Sequence, residues 1–198
     1  MIKCVLFDLG GVVVDFSDED YYRYLAKQGK LSPEQVYKKL DPLYRRIFMG
    51  LIRIDFFERE VARILKIERS KVKWIEFYES HVKLNEKMMQ LVRKLRKNYK
   101  VAFLSNVDYS RYDIAMSMLN LKEFDYHFAS CYIGKNKPDP EVYRYVLKRM
   151  RMKPSEVVFI DNLNVNVIGA ASVGIRSIWF MGSMSELTKK LRSFGVKA

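Results

Sequence analysis

The chain reads as an α/β protein built on a doubly wound parallel sheet, and three observations predict it. Short apolar runs suited to buried strands recur along the sequence, and amphipathic helical patterns separate most of them. One stretch breaks this alternation, because it holds helical patterns and no convincing strand. The 198 residues, 49% of them apolar, supply enough material for one core with an insertion.

The first apolar run, Lys3 to Phe7, ends at Asp8 and is followed by the glycine pair Gly10-Gly11 and the apolar VVV. Ser17 to Glu79 then interrupts the rhythm. Inside it, Ser32-Pro33-Glu34-Gln35 reads as a capping box with proline in the first helical turn, and aromatic residues from Tyr21 to Tyr78 are dense enough to form a small core of their own. Residues 17–81 are therefore expected to be an all-helical subdomain inserted into a Rossmann-like core of residues 1–16 and 82–198. Strand and helix patterns resume after it. Asn85 to Asn98 carries Met88, Leu91, Val92 and Leu95 on one stripe, and Lys100 to Leu104 is the second buried strand. Tyr126 to Ala129, Val157 to Ile160 and Ser177 to Phe180 are the remaining three. Helices are predicted over Pro138 to Met150 and Asn162 to Val173, the latter ending at Gly174. A last helix starts near Ser183, where Glu186 would complete a second capping box, and stops at Gly195.

Lysine and arginine number 36 against 23 acidic residues, a formal charge of +13, which favours anionic partners. The densest basic segment, Leu91 to Lys100, places its charges between apolar residues at helical spacing, so it reads as a solvated helix face and not as a nucleic-acid contact. Cys4 and Cys131 stand apart and form no C-x-x-C pair, the usage of buried thiols in a reducing compartment. No apolar run approaches the roughly 18 residues that span a bilayer, and Asp8 breaks the first run too early for a signal peptide. A soluble, cytoplasmic protein without a membrane partner is expected, with its oligomeric state open.

Open parallel sheets bind ligands beyond the carboxyl ends of their strands. The residues that follow the apolar runs are Asp8, then Ser105-Asn106, then Lys137, then Asp161-Asn162. A carboxylate, a hydroxyl with an amide, an ammonium and a second carboxylate on one rim would make a phosphoryl-transfer site.

These residues stand in motifs that resemble the haloacid dehalogenase-like hydrolase superfamily: FDLGG, then LSN, then GKNKPDPEVY, then VVFIDNLNVN, in that order. The helical insertion between the first and second motifs resembles the cap of that superfamily's phosphatases. The resemblance implies a metal-dependent phosphatase acting on a small phosphorylated metabolite, with the cap closing over the site to expel water and choose the substrate. Asp8 would be the nucleophile, forming an aspartyl-phosphate that water hydrolyses. Mg²⁺ would lie between the Asp8 carboxylate, the Gly10 backbone carbonyl and Asp161. Ser105, Asn106 and Lys137 would hold the phosphoryl oxygens. Lys137 is preferred to Lys135 because the family's lysine directly precedes proline. Asn162, where a second aspartate often stands, would support the metal's water shell, and Asn166 would fix the loop through backbone contacts.

Gly10 occupies the place where most phosphatases of this family carry a general acid. Such assistance is worth about 10² to 10⁴ in rate, so aryl, acyl or anomeric sugar phosphates are expected to react far better than alkyl phosphates. A similar FDLGG or FDLGN opening occurs in a subgroup that includes sugar phosphatases. Asp15, Asp108 and His81 are the residues weighed as substitutes for the missing acid, while His127 reads as a core or edge residue. Two alternatives accompany the phosphatase reading. One is a 2-haloacid dehalogenase using Asp8 without metal, against which Asp161 argues. The other is a phosphate-binding or regulatory protein that has lost turnover at Gly10 and Asn162.

Overall fold

The computed structural model describes residues 1–198. Its sheet has five parallel strands: β1 (Cys4–Phe7), β4 (Lys100–Ser105), β5 (Tyr126–Ala129), β6 (Val157–Asp161) and β7 (Arg176–Trp179), in the spatial order β5-β4-β1-β6-β7. β1, β4 and β6 are buried on both faces apart from Lys100, which is why they read in the sequence as unbroken apolar runs and not as alternating ones. The ladders carry β4 one residue further, to Ser105, and β6 to Asp161, than apolarity alone predicts. Ser105 pairs with Ala129 and Asp161 with Trp179, so two polar residues close the strands in register. β7 begins at Arg176 and ends at Trp179, one residue earlier at each end than expected.

Helices cover both faces of the sheet. On one face, α5 (Glu86–Leu95) and α10 (Met184–Ser193) bury Met88, Leu91, Val92, Leu95, Leu187 and Leu191 against Val5, Phe7, Val101, Phe103 and Ile178. On the other, α8 (Pro140–Met150) and α9 (Asn164–Ser172) meet Cys4, Leu6, Ala102 and Phe159. Two helices escaped the sequence reading: α6 (Tyr109–Met118), whose apolar residues form no clean stripe, and the single turn α7 (Ser130–Ile133). Ser183 accepts a hydrogen bond from the Glu186 N–H at 3.3 Å, but Glu186 does not return one to the Ser183 backbone. The second capping box is thus only half made.

Helices α1 (Asp18–Gly29), α2 (Pro33–Phe48), α3 (Ile54–Leu65) and α4 (Trp74–His81) pack around a cluster of their own that includes Tyr21, Leu25, Leu40, Tyr44, Phe57, Val61 and Trp74. The Ser32–Gln35 capping box forms in full, with bonds of 3.2 and 2.9 Å. Not every aromatic side chain of the segment joins that cluster. Tyr78 sides with the sheet's core, and Tyr37 and Phe56 are exposed. The chain enters and leaves these helices through a two-stranded antiparallel ladder, β2 (Val14–Asp15) on β3 (Lys83–Leu84). No helix is long and apolar enough to cross a membrane. Cys4 and Cys131 are free and buried, and burial pushes both thiols up to about 12.

Candidate active site

The carboxyl ends of β1, β4 and β6 lie side by side, so Asp8, Ser105 and Asp161 emerge on one rim. The loop after α7 brings Lys137 between the two acids. Its Nζ lies 2.8 Å from Asp8 Oδ1 and 2.7 Å from Asp161 Oδ2, and all three side chains are buried. Charges so withdrawn from water persist only when paired and hydrogen-bonded. The surroundings provide this. Asp8 Oδ1 accepts the Leu9 N–H at 2.7 Å, and Asp161 Oδ1 accepts the Leu163 N–H at 2.8 Å.

Burial, then the neighbouring Asp161 charge, push Asp8 up to about 7 against the pull of Lys137. Burial alone would lower the Lys137 ammonium, but the charges of Asp161 and Asp8 outweigh it and hold Lys137 above its ordinary value. The result is a cation fixed as an ammonium beside a carboxylate poised near neutrality.

Two supporting residues do other work than the expected, or more. Asn106 does not point a free amide at the rim. Its Nδ2 donates to the Lys137 carbonyl and its Oδ1 accepts the Lys137 N–H, both at 2.8 Å, so it clamps the backbone that carries the ammonium. Asn166 makes the expected backbone contacts, its N–H donating to the Leu163 carbonyl at 3.0 Å and its carbonyl accepting the Tyr143 hydroxyl at 2.7 Å. In addition its side-chain Nδ2 reaches back to both oxygens of Asp161, at 3.1 and 3.0 Å, and orients that carboxylate. The Asn162 side chain folds over Gly11, whose φ of +74° and lack of a Cβ admit it, while the Asn162 carbonyl accepts the Trp179 indole N–H at 2.9 Å.

None of the residues weighed as substitute acids is placed for that task. Asp108 caps α6 by accepting the Ser110 and Arg111 N–H groups, and also takes the Trp74 indole N–H at 3.0 Å. Asp15 is exposed in β2 opposite Lys83. His81 is exposed, stacked on Phe77, with Nδ1 2.8 Å from the Phe77 carbonyl. His127 stacks on Phe103 at the edge strand β5. Around Gly10 a Cβ would meet nothing within 4 Å.

The donors gathered here suit a hard divalent cation. Both acids share one ammonium at under 3 Å, so a single small ion could engage both, and the Gly10 carbonyl accepts no hydrogen bond in the protein. No third acidic, histidine or cysteine side chain joins them. That set matches an ion that takes one or two carboxylates and completes its shell with a carbonyl, waters and phosphate oxygens.

Sequence reading missed the residue that joins the helical layer to the sheet. Arg111, on α6, is buried and pairs with Asp18 of α1 at 3.0 Å. Its guanidinium lies over the rings of Tyr78, Phe16 and Trp74 at 4.5, 4.7 and 4.7 Å, and over Phe48 at 5.7 Å. Two further bonds cross the same seam: Ser130 Oγ donates to the Phe48 carbonyl at 2.5 Å, and Asn136 Nδ2 to the Arg45 carbonyl at 2.9 Å.

The candidate site is thus a buried ammonium shared by two acids at the ends of parallel strands, on an α/β fold with a helical layer against it. The chain belongs to the haloacid dehalogenase-like hydrolases, whose family model matches residues 2–174. It is 26% identical to the D-ribitol-5-phosphate phosphatase of Bacteroides thetaiotaomicron, over 84% of this chain and 86% of that protein. It is 27% identical to a phosphorylated carbohydrates phosphatase of Thermotoga maritima, over 90% of this chain and 84% of that one. Among solved structures, a HAD family enzyme from B. thetaiotaomicron in complex with magnesium and inorganic phosphate superposes with a TM-score of 0.77. That match is 24% identical and covers 94% of this chain and 99% of the other.

Proposed function

We propose that the protein is a magnesium-dependent phosphatase of small phosphorylated carbohydrates, anomeric sugar phosphates foremost. The observation that carries this reading is the placement of Lys137 Nζ within 3 Å of both Asp8 and Asp161. An ammonium held there balances two acids on which a dianionic ester must also settle. The names of the two curated relatives supply the substrate class.

Asp8, Asp161 and the Gly10 carbonyl would hold Mg²⁺, which when bound neutralises part of the phosphate charge and the mutual repulsion of the acids. Asp8 attacks phosphorus through a carboxylate oxygen while the ester P–O bond breaks, leaving an aspartyl-phosphate that a water molecule later hydrolyses. Ser105 and the ammonium of Lys137 hold the transferring phosphoryl oxygens. Asn106 keeps Lys137 in place, and Asn166 keeps Asp161 in place. The layer formed by α1–α4 acts as the cap that shields the intermediate from bulk water. The departing oxygen finds no acid at Gly10 and leaves unprotonated, so good leaving groups are favoured: anomeric sugar phosphates above primary alkyl esters, and aryl or acyl phosphates as model substrates.

A panel of phosphate esters, assayed with Mg²⁺ and with chelator, tests the reading. Turnover that needs Mg²⁺ and falls at least 10⁴-fold in Asp8→Asn is expected. Chloride release from a 2-haloacid, undiminished by chelator, would replace the phosphatase with a dehalogenase. Equal turnover of aryl and alkyl phosphates would remove the role given to Gly10.

A further inference from the structure

We propose, resting on the phosphatase reading, that Tyr44 and Arg111 form a subsite between the helical layer and the sheet that binds a neutral hydroxyl at the far end of the sugar. Five side-chain polar atoms of the protein are buried without a hydrogen-bond partner, and three of them lie on this one seam: Tyr44 Oη, Arg111 Nε and Asn136 Oδ1. Unpaired buried groups are costly, and where they gather they point to a function that pairs them. The seam adjoins the catalytic rim. Asn136 immediately precedes Lys137 and donates to the Arg45 carbonyl, which puts Tyr44 one residue from a contact with the lysine's loop. Asp108 lies three residues beyond Ser105, at most about 10 Å of chain, and accepts the Trp74 indole N–H. The Trp74 ring centroid is in turn 5.5 Å from that of Tyr44. Asp18, Tyr22 and Phe48 are only partly buried, so the seam is open to solvent on its outer side.

The free atoms select the ligand. Tyr44 and Arg111 are 4% and 5% exposed. Burial, then the neighbouring tyrosines and Asp18, hold the Tyr44 phenol well above its ordinary value against the pull of Arg111, so it keeps its proton. Arg111 Nε can only donate, whereas the phenol can donate or accept. A hydroxyl satisfies both: its oxygen accepts from Arg111 and its proton goes to Tyr44. A carboxylate is the ordinary partner of a free guanidinium, but this one is already balanced by Asp18 at 3.0 Å through Nη1. A second carboxylate would face Asp18 at close range and be repelled. The hydroxyl displaces nothing, because neither Asp18 nor the stacked rings use Nε. Tyr22, Phe48 and Trp74 supply the apolar walls that small-molecule sites need around a few convergent polar atoms.

Kinetics on matched pairs of esters test this: glucose-1-phosphate against 6-deoxyglucose-1-phosphate, and ribose-1-phosphate against 5-deoxyribose-1-phosphate, with phenyl phosphate as the hydroxyl-free reference. In the parent protein, loss of the hydroxyl should lower kcat/KM at least about 10-fold in one of the pairs. Tyr44→Phe should lower kcat/KM for the intact sugar phosphate about 10-fold relative to phenyl phosphate, and shrink the deoxy penalty to about threefold or less. Tyr37→Phe, exposed on the same helical layer, should keep the parent's penalty. Because Tyr44→Phe removes only an unpaired hydroxyl, its melting temperature should match or exceed the parent's. A parent indifferent to the deoxy change in both pairs overturns the subsite, as does a penalty that Tyr44→Phe leaves intact, or a clearly lower melting temperature in that variant. Faster turnover of glucuronic acid-1-phosphate than of glucose-1-phosphate overturns it in favour of a carboxylate. Any of these results beside Mg²⁺-dependent, Asp8-dependent turnover of phenyl phosphate leaves the phosphatase reading standing, whereas absence of that turnover in the parent ends both.

Discussion

Two buried cations divide the labour of this molecule. Lys137 sits between Asp8 and Asp161 at the rim, and Arg111 sits between Asp18 and four aromatic rings where the helical layer meets the sheet. Both are withdrawn from water, yet they are compensated by different means. Lys137 is balanced by two carboxylates, which under the proposed function a metal ion would also engage. Arg111 is balanced by one carboxylate and the negative faces of rings, none of which a small ligand would replace. Lysine suits the first place because its ammonium is a point charge that tolerates a change of partners; arginine suits the second because a flat guanidinium stacks. The comparison teaches that burial of a charge does not by itself mark a reactive site, and that the exchangeability of its partners separates the two places.

Between the two cations, the larger expected effect on turnover is at Lys137. Lys137→Met should lower kcat about 10³-fold in steady-state assays with an aryl phosphate, an electrostatic loss of about 4 kcal/mol at the transition state. Lys135→Ala should change kcat less than about twofold. Arg111→Met should invert the pattern. Emptying the aromatic cage, with a smaller loss from the half-exposed Asp18, should cost about 2 kcal/mol of stability in urea unfolding, with kcat reduced much less than in Lys137→Met. A larger loss of kcat in Arg111→Met than in Lys137→Met would erase the distinction.

Gly10→Asp should sharpen it from the other side. A side chain there meets open space, so the variant should fold and speed alkyl phosphate hydrolysis about 10- to 100-fold, with little gain on aryl esters. The smallest effect concerns pH. Asp8 titrates at about 7 in the folded chain, above the ordinary 3.8. The folded state thus binds the extra proton in that window, and the stability it confers is complete below pH 3.8 and lost as pH rises through 7. In metal-free buffer, Asp8→Asn should be more stable than the parent by about 1 to 2 kcal/mol at pH 8, an advantage that shrinks toward pH 5 in thermal melts.

Most of the sheet was legible because its central strands are buried on both faces and leave unbroken apolar runs. The rim was legible for a related reason. A carboxylate at the end of such a run, as at Asp8 and Asp161, has no structural use as plain as its cost. Their meeting through Lys137 came from motif order and not from any local pattern. Arg111 was invisible. On a helix with a weak stripe, an arginine reads as solvent-facing, and its burial depends on Phe16, Phe48, Trp74 and Tyr78, which only the folded chain assembles around it. The bond from Asn166 to Asp161 spans five residues at the start of α9, a reach that helix geometry makes accessible once the helix is placed. Asn106 offered no such signal, because its partner lies in a loop 31 residues away.

The β2–β3 ladder has a consequence for how this architecture diversifies. Val14 pairs with Leu84 and Asp15 with Lys83, so the outgoing and returning chains are fastened together at the border. Toward the sheet, everything between them is equivalent to the tip of one hairpin. Closing a longer tip costs only about 0.6 kcal/mol per doubling of its length. The length of that excursion can therefore vary at little cost in loop closure, so long as the contacts that Asp108, Arg111, Ser130 and Asn136 make across the seam are kept or replaced, while the strands of the sheet keep their register.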